Sequence, residues 1–138
     1  MTPETLVSAF VSAGAAAAAG LAVMLQPSLP RPDGALVWMH AASVGETMSS
    51  LILIERVLAQ DPAISVLLTT GTVTSAEMAA KRLPARAVHQ YCPLDVPRWV
   101  RRFLNHWRPD AALWIESELW PNMVRQTHET GIPMALIN

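Results

Sequence analysis

Cysteine is nearly absent from the chain, and the single one, Cys92, can neither close an internal disulfide nor supply metal-ligand spacing. The four histidines, His40, His89, His106 and His128, also fall in no spacing that builds a metal site. Two glycine-rich loops are missing as well: Gly-x-Gly-x-x-Gly and Gly-x-x-x-x-Gly-Lys-Ser/Thr. Their absence disfavours nicotinamide and nucleoside-triphosphate enzymes of the common kinds, and a sugar-nucleotide epimerase with a glycine fingerprint. The formal net charge of -1 argues against wholesale nucleic-acid binding. No basic residue precedes the first apolar run, where Glu4 stands instead, so a secretory signal is disfavoured. What is present is 138 residues at 51% hydrophobic content, enough for one domain with a sizeable core. The cytosol, or the cytosolic face of a membrane, suits such a chain.

From Leu6 to Leu25 the chain carries no charge, and its centre is the run Gly14-Ala15-Ala16-Ala17-Ala18-Ala19-Gly20. About 20 apolar residues span a bilayer, so residues 1–30 form a candidate membrane anchor with its linker. An alanine-rich helix docked on the domain is the competing reading. Pro27, Pro30 and Pro32 mark the stretch from Gln26 to Gly34 as a linker. After it, short apolar runs alternate with amphipathic segments. Strands are expected at Ala35–His40, Ile64–Thr69, Ala87–Tyr91, Ala111–Ile115 and Pro133–Ile137. Helices are expected at Glu46–Gln60, with Met48, Leu51, Ile52 and Val57 near helical spacing, and at Ser75–Leu83, Pro97 to His106 or Trp107, and Pro121 to Gly131. This alternation implies an α/β fold: a Rossmann-like parallel sheet with helices on both faces.

The chain is organised around Trp38-Met39-His40-Ala41-Ala42-Ser43-Val44-Gly45-Glu46, a buried strand that turns through small residues into a helix. Ligands collect outside the carboxyl ends of parallel strands, and that edge gathers four polar loops: Ser43 to Glu46, Thr69 to Thr74, Cys92 to Asp95, and Glu116 to Glu118. A carboxylate in the first turn of a helix is a candidate base, because the backbone N–H groups there favour its ionised form. Complementing the helix dipole would place Glu46 at the same position. Ser43 and Gly45 shape the turn, Gly45 by letting a substrate approach the backbone, or serve only as cap and turn residues. Glu116 and Glu118 share one face if the strand persists through them; a turn at Ser117 would separate them. Trp120-Pro121 is expected to pack the start of the last helix rather than to stack on a sugar, and His40 to be a core histidine at a strand end.

Seven of the ten basic residues lie between positions 81 and 108, where Asp95 is the only acid. Arg98, Arg101 and Arg102 fall on one face of the helix opened by Pro97. They suit the phosphates of an acidic lipid or an anionic bilayer surface, and a solvated helix face explains the same pattern.

His40-Ala41-Ala42-Ser43-Val44-Gly45-Glu46, Thr69-Thr70-Gly71-Thr72-Val73-Thr74-Ser75, Tyr91-Cys92-Pro93-Leu94-Asp95 and Glu116-Ser117-Glu118-Leu119-Trp120-Pro121-Asn122 together resemble the ordered motifs of 3-deoxy-D-manno-octulosonic acid (Kdo) transferases. The resemblance runs from about Arg31 to Asn138. It implies the N-terminal half of a two-domain GT-B glycosyltransferase of lipopolysaccharide synthesis, inverting and metal-independent. The implied donor is CMP-Kdo and the implied acceptor a lipid A precursor, at the cytosolic face of the inner membrane. Residues 31–138 are then the acceptor-binding domain, with the donor-binding C-terminal domain outside this chain. Glu46 matches the family's base, and Ser43, Gly45, Glu116, Glu118, Arg98, Arg101 and Arg102 are the expected substrate-binding residues. A non-catalytic, membrane-tethered acceptor-binding module or an inactive truncated copy is the alternative.

Overall fold

The computed structural model describes residues 29–116 and 119–138. Among them, strands and helices alternate without exception: β1 (Ala35–Ala41), α1 (Val44–Gln60), β2 (Ile64–Thr70), α2 (Val73–Arg82), β3 (Ala87–Tyr91), α3 (Pro97–Trp107), β4 (Ala111–Ile115), α4 (Pro121–Glu129) and β5 (Met134–Ile137). The sheet is parallel throughout, in the order β3-β2-β1-β4-β5. Its direction of growth reverses between β1 and β4, which is the switch point where such sheets open a crevice for ligands. The apolar segment Leu6–Leu25 lies outside the described residues, and among the described ones no helix is long and apolar enough to cross a membrane.

Strand side chains alternate between two cores, as the pleat requires. Leu36, Trp38, Leu67, Ala112 and Trp114 face Val100, Phe103, Leu104, Trp107 and Met123 of α3 and α4. Met39, Ala41, Val66, Leu68 and Ile115 face Ile54 and Leu58 of α1 and Ala79 of α2. Helix α1 departs from the expected face. Its buried stripe is Thr47, Ser50, Leu51, Ile54 and Leu58, whereas Met48 and Ile52 are 45% and 62% exposed. Apolar residues occupy more than one stripe of this helix, and the stripe with the smallest side chains at its start fits against the strands.

Two arginines hold the edge of the sheet opposite the crevice. The Arg31 guanidinium donates to the carbonyls of Trp107, Arg108, Pro32 and Gly34 and pairs with Asp110 at 3.5 Å. The described end of the proline-rich linker is thereby pinned to the C-terminus of α3. Arg86 donates to the carbonyls of Leu58, Asp61 and Ile64, supplying the positive charge that the last turn of α1 lacks. The basic cluster of the sequence is thus divided. Lys81, Arg82, Arg86 and Arg108 sit at helix ends or strand starts on this edge, and Arg98, Arg101 and Arg102 project from the exposed face of α3.

Candidate functional site

The crevice is built on the turn after β1. Ser43 is the N-cap of α1, with its backbone extended and its Oγ accepting from Glu46 N at 3.3 Å. The Glu46 carboxylate folds back over the turn, and its Oε2 accepts from Ala42 N at 2.6 Å and Ser43 N at 3.0 Å. Thr47 Oγ1 closes the same turn by donating to Ser43 O at 2.7 Å. This is a capping box, extended by one residue upstream. Both bonds to the carboxylate fall on Oε2, and among the described residues Oε1 takes none. Glu46 therefore does complement the helix start, and the same bonds fix a partly exposed carboxylate at the turn after β1, next to the switch point. Gly45 is exposed, and a Cβ there would meet nothing within 4 Å, so the space above the first turn is open to a ligand.

Two neighbouring loops support that turn. Gly71 follows β2, and a Cβ there would come to 3.4 Å from Ala42 O. The threonines around it are used internally: Thr72 caps α2 through Ser75 N, and Thr70 Oγ1 meets His89 Nε2 at 2.8 Å. Beneath the turn, Thr69 Oγ1 accepts from Trp38 Nε1 at 2.9 Å and meets His40 Nδ1 at 2.9 Å. His40 is a buried histidine at the end of β1, as its position in the sequence implies. Burial pushes its pKa down to about 4, against smaller upward pulls from the Glu46 charge and the Thr69 contact. His40 Nε2 has no hydrogen-bond partner among the described residues.

The second wall follows β4. The strand stops at Ile115, and Glu116 takes a left-handed backbone with φ of 64° while its N–H still pairs with Ile137 O at 2.8 Å. The strand therefore does not persist through the carboxylates, and Glu118 lies outside the described residues. Glu116 heads an open groove of about 380 Å³ between α1 and the β4–β5 edge, lined also by Ser49, Ile52, Arg56, Ile115 and Ile137. Arg98, Arg101 and Arg102 belong to the helix layer on the other side of the sheet, so the structure does not bring them into this groove.

Sequence reasoning missed the joint between the last two motifs. Helix α4 has Pro121 at its start and no side-chain cap of its own. Asp95, from the loop after β3, caps it instead: Oδ2 accepts from Asn122 N at 3.0 Å and Oδ1 from Met123 N at 2.8 Å. Asn122 Nδ2 returns a bond to Asp95 O at 2.9 Å. The missing local cap before Pro121 was the available signal. Asp95→Ala is expected to cost about 2 kcal/mol, read as a lower urea midpoint, whereas Asp95→Asn, which keeps one acceptor oxygen, costs less. Trp120 stands at the N-cap position of α4, where packing of the helix start is expected from the sequence, and is 43% exposed.

The motifs that line this crevice match a known family. Residues 12–138 match the family model of 3-deoxy-D-manno-octulosonic-acid transferase. The chain belongs to the Kdo transferase family. A 3-deoxy-D-manno-octulosonic acid transferase of Rickettsia typhi is 46% identical over 91 residues, which cover 66% of this chain and 20% of that protein. The corresponding transferase of Haemophilus influenzae is 35% identical over 111 residues, covering 80% of this chain and 26% of that protein. The chain thus spans a fifth to a quarter of the length of these Kdo transferases. The family match also begins at residue 12, inside the apolar run, further upstream than the motif resemblance reached. Among solved structures, Staphylococcus aureus MnaA with UDP aligns with a TM-score of 0.54 at 15% identity, over 83% of this chain and 32% of that one. At that identity the likeness speaks for the Rossmann-like fold alone.

Proposed function

We propose that this chain is the acceptor-binding part of a Kdo transferase that moves Kdo from CMP-Kdo to a lipid A precursor. In the proposed step, an acceptor hydroxyl attacks the anomeric carbon of Kdo. Its proton passes to the Glu46 carboxylate, the new glycosidic C–O bond forms with inversion, and the bond to the CMP phosphate breaks as CMP leaves. The observation that carries this reading is the placement of Glu46: N–H groups of Ala42 and Ser43 hold Oε2 at the turn after β1, and among the described residues Oε1 takes no hydrogen bond. A base needs that combination of fixed geometry and a free acceptor oxygen. Ser43, Gly45 and Glu116 flank the approach, and Glu118, outside the described residues, is proposed as a further acceptor contact. Arg98, Arg101 and Arg102 offer guanidinium groups to acceptor phosphates or to anionic lipid at the cytosolic face of the inner membrane. No resident metal enters this scheme.

The test compares this chain with the chain joined to a matching C-terminal domain, using CMP-Kdo and a lipid A precursor. The joined protein is expected to transfer Kdo in the presence of a chelator, and the 138-residue chain to bind the acceptor without turnover. Acceptor binding with no transfer in the joined protein would replace this reading with a non-catalytic acceptor-binding module.

A further inference from the structure

Of the five tryptophans, Trp38, Trp99, Trp107 and Trp114 are at most 7% exposed, whereas Trp120 is 43% exposed. Together with Leu119, 46% exposed, it opens contiguous apolar surface to solvent, and a tryptophan ring combines a flat apolar face with a polar N–H edge. Its position narrows what that surface meets. Trp120 follows the turn after β4, on the switch-point side of the sheet, a few residues beyond Glu116. Its backbone is held: Pro121 follows it, its carbonyl accepts from Val124 N at 3.0 Å, and Asp95 clamps Asn122 and Met123. The same junction brings in the N-terminus of α3, because Gln126 Nε2 of α4 donates to Pro97 O at 2.9 Å. Arg98 is the next residue and is exposed.

We propose that Trp120 is the platform on which a sugar ring of the acceptor stacks, with Arg98 placed to meet a phosphate on that sugar; this rests on the transferase reading above and deepens it. A pyranose has an apolar C–H face and a polar rim. A rigid indole matches the face at little cost in side-chain entropy, and a guanidinium suits a phosphate. Leu119 is exposed beside Trp120, and the chain that follows the pair is a polar junction, with the Asp95 carboxylate on Asn122 N and Met123 N. That setting suits a hydroxylated ligand better than hydrocarbon.

Because the other tryptophans are buried, acrylamide-accessible fluorescence of this chain reports on Trp120. A deacylated glucosamine disaccharide bisphosphate is expected to protect that emission, and anionic vesicles without the sugar are not. In the transferase joined to its C-terminal domain, Trp120→Ala is expected to raise the acceptor KM about tenfold, with kcat and the donor KM within about twofold. Trp120→Phe, which keeps a flat ring, should recover most of the loss. Protection by vesicles alone would assign the indole to the membrane and overturn the proposal. So would absence of protection by the disaccharide, or an unchanged acceptor KM in a variant that still transfers Kdo. Protection by the disaccharide in a joined protein that never transfers would keep the platform and overturn the transferase reading.

Discussion

Exchanging Glu46 for Gln in the joined transferase is expected to lower Kdo transfer about 10²- to 10⁴-fold, the range for loss of a positioned base, while acceptor binding survives. The expectation is sharp because Glu46 does two things that Gln separates. As a capping residue it accepts N–H bonds from Ala42 and Ser43 on one oxygen, and the amide oxygen of Gln can accept both. As a base it needs a carboxylate that takes a proton, which the amide cannot do. Glu46→Ala removes both functions and should add a stability loss of about 1 kcal/mol. Comparable turnover in Glu46→Gln with a stability loss in Glu46→Ala would leave Glu46 as a helix-start residue, and the base would have to be Glu116 or Glu118. Steady-state transfer and urea unfolding on the same three proteins decide the matter.

Acidification below about pH 6.5 is expected to destabilise the fold through two histidines. Burial pushes the pKa of both His40 and His89 down from 6.5 to about 4. Between those values the unfolded chain binds protons that the folded chain refuses, so stability is complete above pH 6.5 and is lost as the pH falls toward 4. By about pH 5 the loss is about 2 kcal/mol for His40, which is 2% exposed, and less for the half-buried His89. His40 resists protonation for a visible reason. Burial is that reason: the ring is shut off from water, and its Nδ1 meets only Thr69 Oγ1, which also accepts from Trp38 Nε1. Nε2 is buried with no carboxylate bonded to it among the described residues. Urea unfolding at about pH 7 and about pH 5 should show this loss, and His40→Gln should flatten the pH dependence. An unchanged slope in His40→Gln would mean that His40 binds protons equally in the folded and unfolded chains.

Much of this architecture was legible in the chain because its signals are local. Apolar runs mark the strands, Pro97 and Pro121 open helices at the expected positions, and Ser43 followed three residues later by Glu46 is a capping box readable without coordinates. Features that depend on distant partners were not legible. Arg86 reads as one member of a basic cluster until it is found on the carbonyls at the end of α1. Asp95 reads as one more rim carboxylate until the backbone of α4 is found bonded to it. Met48 and Ile52 read as core by spacing, yet the sheet accepts a different stripe of α1.

The sequence by itself determined the alternation of strands and helices, the parallel sheet this requires, and the delivery of a carboxylate to a helix start. Each follows from periodicity, caps and turns within a few residues. Only the tertiary structure decided the strand order β3-β2-β1-β4-β5. That order places the Glu46 turn beside the Glu116 loop and sends Arg98, Arg101 and Arg102 to the opposite helix layer. Strand order is set by how whole side-chain surfaces pack across the sheet, and no short stretch of sequence carries that information.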